Sequence, residues 1–485
     1  MSRLFAAAVL AALLATPRSP AHAAEAAHAA ETRPAAPSKL QPFLKTPARS
    51  IALEHVRVID GTGAEPREDE TVLIEDGLIA AAGPAVKIPA GAERLDLRGR
   101  TVLPGLVGMH DHLFYPQGGG LFGEMGQSFP RLYLAAGVTT IRTGGSIEPY
   151  ADLEIKALID KGEQPGPRVF VTGPYLEGKG TWTPQMHQLR DEADARRTVD
   201  FWADQGATSF KAYNFLTRAE LRAAVETAHK RGLKVTGHLC SIGFTEAAGL
   251  GIDNLEHGLV VDTELFPGKK PDECPAPPAV LAELSQHKAA EPKIAAIIAA
   301  LVQHHVAVTS TLAVFDTQIP GHLDQSVDAR VLQAMSPDAR ARLFERHLAS
   351  AHAKVSWAAL VRLEMDFELA FVRAGGLLLA GADPTGNGAV LAGYGDQRGL
   401  ELLVDAGFTP LQAIRIGTLN GAIFLGEEAR LGSIAPGKAA DLVVVAGDPS
   451  KAIADLEKVE LVIKDGRAYD PARLVESVRG LVGTR

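Results

Sequence analysis

The stretch that decides the fold reads Leu103-Pro-Gly-Leu-Val-Gly-Met-His-Asp-His112. Its apolar part is typical of a buried strand, on which residues two apart point to the same side. His110 and His112 stand at the end of this strand, where two imidazoles can chelate one metal ion. A lone His-x-His pair is weak evidence, because such pairs occur by chance. Its meaning therefore depends on the fold around it.

Short apolar strands alternate with helical stretches through the middle of the chain. The predicted strands end near Met109, Thr143, Gly173, Ala212, His238, His257, Thr311 and Gly381. The predicted helices cover residues 150–161, 193–205, 218–231 and 293–303. This alternation predicts an α/β protein with a (β/α)8 TIM-like barrel, although a doubly wound open sheet would give a similar pattern. In such barrels the active site lies at the C-terminal ends of the strands, which is where the two histidines fall.

Both ends of the globular sequence show a residue pattern typical of short strands and tight turns. Residues 50–103 and 428–485 are expected to pair as one discontinuous β-sandwich domain, into which the barrel, residues 104–427, is inserted. Residues 312–365 follow the seventh predicted strand and are too long for a plain connection. They are charged and largely helical, so we expect them to cap the site.

The first residues have the pattern of an export signal. Arg3 is followed by an apolar run too short to span a bilayer, and Ala21-His-Ala23 is an A-x-A cleavage site. We expect residues 1–23 to be a cleaved signal peptide and residues 24–49 a flexible arm. The alternative is a buried N-terminal helix. The signal reading predicts a periplasmic or secreted protein with no membrane segment in its mature form.

The charge balance limits the partners. The chain carries 49 basic and 58 acidic side chains, net −9, and loss of Arg3 and Arg18 with the signal would make it more negative. An acidic protein without a basic patch is a poor partner for nucleic acid or anionic lipid. A small-molecule substrate is expected, and a homo-oligomer is possible.

Three more candidate ligands fall at later strand ends. His238 ends the fifth predicted strand, His257 the sixth and Asp383 the eighth. Each alone is best read as a structural residue. Together with the first two histidines they form a nitrogen and oxygen set suited to zinc or a similar divalent ion.

Lys211 is the unusual member of the set. It ends an apolar strand in Ser209-Phe-Lys-Ala-Tyr213, so its amine would point into the barrel mouth. A buried lysine can lose its proton, and the free amine can add carbon dioxide to become a carbamate that bridges two metals. The alternatives are a side chain that reaches solvent or one that binds a substrate anion, and the spacing does not decide between them.

These residues resemble the binuclear branch of the amidohydrolase superfamily. The resemblance rests on His110-x-His112, Lys211, His238, His257 and Asp383, and on the sequences that flank them. The flanking matches are Val102 to His112, Ala136-Gly-Val-Thr-Thr-Ile-Arg-Thr-Gly-Gly145, Asn254-Leu-Glu-His-Gly258, Thr418-Leu-Asn-Gly-Ala422 and Gly432 to Leu442. The similarity covers about residues 51–470 and is strongest to imidazolonepropionase-, prolidase- and dipeptidase-like members. Thr143 departs from the Asp that many relatives carry at this position, which lies outside the ligand set.

The resemblance implies a ligand set and a mechanism. By it, Lys211 is carboxylated, His110, His112 and Asp383 hold one metal, and His238 and His257 hold the other. Two divalent ions, zinc by expectation, would activate a bridging water as hydroxide. Asp383 would then accept its proton and return it to the leaving group.

Three functions remain open on the sequence. The first is hydrolysis of a C–N bond in a dipeptide, N-acyl amino acid or related amide. The second is a lactonase, esterase or other C–O or P–O hydrolase that uses the same binuclear site. The third is a metal-dependent binding protein, against which the proton acceptor Asp383 argues.

Substrate contacts are less defined. His187 follows the third strand in a loop and is a candidate for contacting the substrate, with a solvated loop histidine as the alternative. Tyr213 lies two residues beyond Lys211 on the same side of its strand, so it can reach the substrate or pack in the core.

The two cysteines are predicted to pair. Cys240 stands two residues after His238, and Cys274 lies in the loop region after the sixth strand. Strands five and six are neighbours in a barrel, and an exported protein meets an oxidising compartment. A Cys240–Cys274 disulfide is the prediction; a soft metal ligand or two buried free thiols are the alternatives.

Overall fold

The fold is described from a computed structural model, which describes residues 37–181, 183–320, 329–350, 355–386 and 388–484. The expected signal peptide lies outside these residues. Within them, no helix has both the length and the apolar character needed to span a membrane.

One sheet combines strands from both ends of the chain. Its strands are β1 (Ser50–Val58), β2 (Arg67–Glu75), β3 (Leu78–Gly83), β4 (Glu93–Asp96), β5 (Arg100–Pro104), β17 (Leu442–Ala446), β18 (Val459–Lys464) and β19 (Arg467–Tyr469). The order is β19-β18-β17-β5-β1-β2-β3, with β4 pairing on β1 beside it. The early and late segments join where β5 runs antiparallel to β17, from Arg100 opposite Ala446 to Pro104 opposite Leu442. Alternating valine, leucine and isoleucine side chains of these strands form a buried core of their own.

The middle of the chain forms parallel sheets. Their strands are β6 (Leu106–Asp111), β9 (Val138–Thr143), β10 (Arg168–Phe170), β11 (Thr172–Leu176), β12 (Ser209–Ala212), β13 (Lys234–Gly237), β14 (Asn254–Glu256), β15 (Ala307–Ser310) and β16 (Leu378–Ala380). One sheet has the order β10-β9-β6 and the other β11-β12-β13-β14-β15-β16. A parallel bridge between Ser146 and Pro174 lies between the two sheets, and the Asp383 N–H donates to His110 O (2.8 Å) at their far edges. The protein is therefore α/β with parallel sheets, and residues 36–485 form one compact unit.

Helices connect these strands. Those of the strand–helix repeat are Ser128–Ala135, Pro149–Asp160, Glu192–Gln205, Arg218–Lys230, Phe244–Gly249, Pro277–Leu284, Pro292–Gln303, Trp357–Arg373 and Tyr394–Asp405. Helices Leu312–Asp316, Ala329–Ala334 and Pro337–Ser350 lie between β15 and Trp357–Arg373. Helices Pro410–Arg415, Gly421–Leu425 and Pro471–Glu476 belong to the C-terminal part, as does the π-helix Ile416–Asn420. Short 3-10 helices cover Gln41–Phe43, Gly258–Val261 and Ile453–Glu457. Where a helix of the repeat ends with glycine, as at Gly232 and Gly375, the glycine has a positive φ that stops the helix.

Part of the expected flexible arm is ordered against the C-terminal strands. Leu40 and Leu44 are buried, and Leu44 forms an antiparallel bridge with Tyr469. The Lys45 N–H donates to Ala468 O (2.8 Å). Residues 37–49 thus differ from the expectation because their leucines have apolar surface to bury.

A hairpin that the sequence did not predict follows β6. Its strands are β7 (Phe114–Gly118) and β8 (Leu121–Glu124), paired antiparallel. Gly118, Gly119 and Gly120 all have positive φ, which lets the chain reverse in this turn.

A buried ion-pair cluster connects the two parts of the fold. Arg168 on β10 donates to Asp441 Oδ2 (2.6 Å) and to Asp465 Oδ1 (2.5 Å), which belong to the C-terminal strand region. The Arg168 side chain is 13% exposed and that of Asp441 is 6% exposed. Asp465 would keep Lys464 (2.6 Å) if Arg168 were lost, but Asp441 would be left with little water to solvate its charge.

We expect Arg168→Ala to lower the free energy of unfolding by about 3 kcal/mol, because breaking a buried pair from one side leaves uncompensated charge. Chemical denaturation would measure this. Arg98→Ala is the control, since the Arg98–Asp96 pair is exposed and its loss should change stability by less than about 0.5 kcal/mol. Equal effects of the two substitutions would contradict the role given to Arg168.

Candidate active site

The six residues singled out from the sequence all lie at or just beyond the C-terminal ends of parallel strands. They are His110 in β6, His112 directly after it, Lys211 in β12, His238 after β13, His257 after β14 and Asp383 after β16. Five of them are less than one tenth exposed, and His238 is partly buried. The C-terminal ends of neighbouring parallel strands lie at the same edge of a sheet, so these residues are close in space although they are far apart in the sequence.

Two of the residues depend on an unusual backbone. His257 has φ 71° and Asp383 has φ 48°, in the left-handed region that residues with a Cβ adopt at a cost of about 1–3 kcal/mol. On a regular strand Glu256 and His257 would point to opposite faces. The left-handed turn at His257 brings both side chains into the same cluster.

The side chains converge around Asp383. Its Oδ1 lies 3.3 Å from His112 Nε2 and 3.7 Å from His110 Nε2, and its Oδ2 lies 3.8 Å from His257 Nδ1. The His257 ring is 4.5 Å from the His110 ring and 4.7 Å from the His238 ring, centre to centre. Two overlapping groups of donor atoms result, His110 with His112 and Asp383, and His110 with Glu256 and His257.

Glu256 is the residue that the sequence analysis missed. It is fully buried, and its Oε1 accepts from Arg142 Nη2 (2.6 Å). Its Oε2 contacts both Lys211 Nζ and His110 Nδ1. The one signal in the sequence was a carboxylate at the end of an apolar strand, next to a candidate ligand.

The protonation states suit metal binding. Burial lowers the pKa of His110 to about 4 and that of His238 to about 3, so both imidazoles are neutral and keep a lone pair at neutral pH. Burial alone would raise the pKa of Asp383, but the neighbouring histidines, His110 first, hold it well below its usual range. For Glu256 the opposing effect of burial is likewise overcome, first by His110 and then by Lys211.

Hydrogen bonds orient three of the imidazoles. His112 Nδ1 lies 3.3 Å from Gly145 O, His257 Nδ1 lies 2.8 Å from Thr311 Oγ1, and His238 Nδ1 lies 3.4 Å from Leu239 O. An Nδ1–H held by an oxygen leaves Nε2 as the acceptor, which is the usual arrangement of metal-binding histidines. The donor set therefore fits a divalent ion of the zinc type.

A cavity of about 730 Å³ opens over this cluster. Much of its wall is apolar: Phe114, Pro116, Leu121, Phe122, Ile147, Tyr175, Met186, Val314, Phe315 and Trp357. The hairpin β7–β8 supplies one side. Another side is formed by Val314, Phe315, Gln318, Arg342, Glu345, Arg346 and Trp357, so the described residues of the long segment after β15 cap the site, as expected from its length.

Of the two proposed substrate contacts, Tyr213 and His187, the structure places only the first in the cavity. Tyr213 lines the cavity, with its ring 5.1 Å from the His238 ring. The His187 side chain is 52% exposed and lies 3.4 Å from Asp194 Oδ2, in a shallow outer depression rather than in the cavity. The structure therefore does not bring His187 to the cluster, because an acid on the following helix holds it outside.

Cys240 and Cys274 form a disulfide with Cα atoms 5.0 Å apart. Cys240 is two residues from His238, so the bond connects the rim of the cluster to the loop that follows β14. The same loop is held by Lys269, whose Nζ donates to Ser241 O (2.6 Å).

Known sequences show similarity to parts of the chain. A profile of the Amidohydrolase family matches residues 386–469. The dihydroorotase of Pelobacter propionicus is 33% identical over 146 residues, 29% of this chain and 34% of that protein. The imidazolonepropionase of Nocardia farcinica is 32% identical over 142 residues, 28% of this chain and 33% of that protein. The chain thus spans about a third of the length of these two relatives.

Solved structures match over a longer range. A candidate prolidase from Bifidobacterium longum has a TM-score of 0.63 and 25% identity, over 89% of this chain and 99% of its own. A Xaa-Pro dipeptidase with bound methionine has a TM-score of 0.64 and 19% identity, over 87% and 100%. A bottromycin amidohydrolase has a TM-score of 0.67 and 21% identity, over 95% and 97%.

The chain is therefore similar to the Amidohydrolase family over residues 386–469, and over most of its length it shares the fold of solved prolidases and amidohydrolases.

We expect the double substitution Cys240→Ser with Cys274→Ser to lower the free energy of unfolding by roughly 3–4 kcal/mol, since the bond closes a loop of 34 residues. Metal content should stay unchanged, because no candidate ligand is removed. Denaturation and metal analysis of the two proteins would show this. Two thiols titrating in denatured, unreduced wild-type protein would contradict it.

Proposed function

We propose that this protein is a metal-dependent amidohydrolase that cleaves a C–N bond in a small substrate such as a dipeptide or an N-acyl amino acid. The observation that carries the proposal is the convergence of four histidines, Lys211 and an ionised Asp383 beneath a largely apolar cavity. The names of the relatives, among them dihydroorotase, imidazolonepropionase and Xaa-Pro dipeptidase, support a C–N bond as the target.

We infer that the parallel strands close into a (β/α)8 barrel inserted in a β-sandwich. The bridge between Ser146 and Pro174 supports closure on one side, and the Asp383 N–H bond to His110 O supports it on the other. The pairing of β5 with β17 supports a discontinuous second domain.

His110, His112 and Asp383 would hold one ion, and His238 and His257 a second. Lys211 would join them as a carbamate. When bound, two divalent ions such as zinc lower the pKa of a water and polarise the scissile carbonyl. Burial lowers the pKa of Lys211, which favours the free amine that carbon dioxide needs.

Asp383 is the group placed to move the proton. Its carboxylate is ionised, and Thr385 Oγ1 donates to Oδ1 (2.8 Å), which fixes its orientation. It would accept a proton from the attacking water as the C–O bond forms. It would then give that proton to the nitrogen as the C–N bond breaks.

The cavity wall does the remaining work. Tyr213, beside His238, is placed to orient the substrate. Phe315 and Trp357 stack with ring centres 6.0 Å apart and cover the cluster from the capping segment, where they would exclude bulk water.

We also propose that the protein is exported, to the periplasm or beyond, after cleavage following Ala23. The pattern of residues 1–23 supports this, and so does a disulfide, which persists in oxidising compartments. N-terminal sequencing of the protein from fractionated cells tests it.

The proposed reaction predicts hydrolysis of Xaa-amino acid dipeptides or N-acyl amino acids by the zinc- or manganese-loaded protein. Asp383→Asn should lower kcat at least about 100-fold, because it removes the proton acceptor while keeping an oxygen ligand. Steady-state kinetics and metal analysis would measure both effects.

Asp366→Asn is the control for Asp383→Asn, since Asp366 is exposed and pairs with Arg362 on a helix. Hydrolysis of lactones without any amide would favour the C–O alternative. Retention of more than a tenth of the activity by Asp383→Asn would remove Asp383 as the base.

The carbamate has its own test. Lys211→Ala should reduce bound metal to less than one ion per chain and abolish turnover, and short carboxylic acids should partly restore it by supplying the missing carboxylate. Lys234→Ala is the control, because Lys234 is a largely buried lysine on the next strand that donates to Phe424 O instead. Full activity of Lys211→Ala would exclude the carbamate.

A further inference from the structure

Two arginines of the capping segment line the cavity. Arg342 and Arg346 are one turn apart on the helix Pro337–Ser350, and Arg346 Nε donates to Arg342 O (3.2 Å). Residues four apart share one face of a helix, so both side chains leave the helix on the same side. Arg342 Nη2 lies by the C-terminal segment, 3.4 Å from the position of a Cβ added to Gly483.

Their position spans the cavity between two elements already described. The Arg342 stem lies against the turn of the β7–β8 hairpin, where a Cβ on Gly118 would meet Arg342 Cδ at 3.5 Å. The head of Arg346 lies by Gly388, where an added Cβ would be 3.0 Å from Arg346 Nη2 and 2.7 Å from Tyr115 Oη. Gly388 follows the loop that carries Asp383, so Arg346 stands on the side of the cavity that leads to the cluster.

Neither arginine is neutralised within the described part of the chain. Arg342 Nε and Nη2 and Arg346 Nη2 are buried and have no hydrogen-bond partner there. By contrast, the buried Arg142 and Arg168 each donate to carboxylates. A guanidinium stays protonated even when buried, so an unpaired one is costly unless an anion reaches it.

The acids on the cavity wall do not fill this role. They are Asp383, which belongs to the histidine cluster, and Glu345, which is exposed and forms no ion pair with either arginine in the described residues. Burial is the largest cause of the lowered pKa of Arg346, and the like charge of Arg342 adds to it, while Tyr115 and Glu345 act in the opposite direction without cancelling the shift. The wall is therefore locally positive in a protein whose net charge is −9.

We propose that Arg342 and Arg346 form a carboxylate-binding subsite, so that the preferred substrate carries a free carboxylate at the end opposite the one held at the histidine cluster. This rests on the proposed amidohydrolase function and narrows it to peptides and N-acyl amino acids with an unblocked carboxyl end. Guanidinium groups bind carboxylates through paired, charge-assisted N–H···O bonds, and two on one helix face provide a matching array of donors.

The test compares each substrate with its C-terminal amide, using L-leucyl-L-leucine and N-acetyl-L-leucine as the acids. Wild-type enzyme should favour the acid in kcat/KM. Arg342→Ala with Arg346→Ala should raise KM for the acid about 10–100-fold, the range expected on losing hydrogen bonds to a charged group, and leave KM for the amide unchanged. Arg346→Lys should recover part of the loss, because it restores a charge without the paired donors.

Arg340→Ala is the matched control, since Arg340 is on the same helix but outside the cavity wall and donates to Met335 O. Metal content and thermal midpoint show that each variant is folded. Calorimetric binding of L-leucine and L-leucinamide to the zinc-loaded proteins gives a readout that does not need turnover, with the acid alone weakened by the double substitution.

The amidohydrolase function and the carboxylate subsite can be disproved separately. If wild-type enzyme cleaves neither acids nor amides but cleaves lactones, the amidohydrolase function falls. If it cleaves amide bonds and the double variant changes acid and amide equally, the carboxylate subsite falls and the function stands.

Discussion

A single buried carboxylate holds the centre of this protein together. Glu256 is inaccessible to solvent, yet it is ionised and receives Arg142 from β9, Lys211 from β12 and His110 from β6. An unpaired charge at such a depth would cost several kcal/mol, so the partners are a condition of folding rather than an addition to it. Slipping any of these strands by one residue would turn its partner to the other face and leave the anion exposed to apolar surroundings.

The same network prepares the chemistry. With its Nδ1 on Glu256, His110 presents Nε2 toward Asp383, and Lys211 Nζ contacts the same Glu256 oxygen. Converting the Lys211 amine to a carbamate would place a negative charge next to Glu256. Positive charge from bound ions would then be needed to keep the cluster balanced, so the proposed lysine modification and metal binding would depend on each other.

Much of the fold and the candidate site could be predicted because they follow simple periodicities. Apolar strands alternating with helices located the strand ends within a few residues, and the histidines, Lys211 and Asp383 were found because they stood there. Glu256 was not predicted as a site residue because adjacent residues of a strand point to opposite faces. If His257 points into the site, a regular strand would point Glu256 away from it. The left-handed backbone at His257 lets both side chains enter the site, and no residue type in the sequence predicts this conformation.

Other differences arose where local sequence does not report tertiary contacts. Pro116 and the glycines after it read as loop, yet they form the hairpin β7–β8 over the cavity. His187 is a residue type that often contacts substrates, but it lies outside the cavity beside Asp194, an acid on the next helix. Such choices are made by neighbours that only the folded chain brings together.

The pairing of β5 with β17 has a consequence for how the chain is made. A ribosome releases β1 to β5 first, and more than three hundred residues must follow before β17 supplies the missing neighbour. Until then β5 has an unsatisfied edge beside the apolar side chains of Val102 and Leu103, the kind of edge on which nascent chains aggregate. Synthesis that stops short of residue 442 would therefore yield an aggregation-prone chain rather than a smaller folded protein. A circular permutation that joins the two segments would remove the delay between the synthesis of β5 and that of β17.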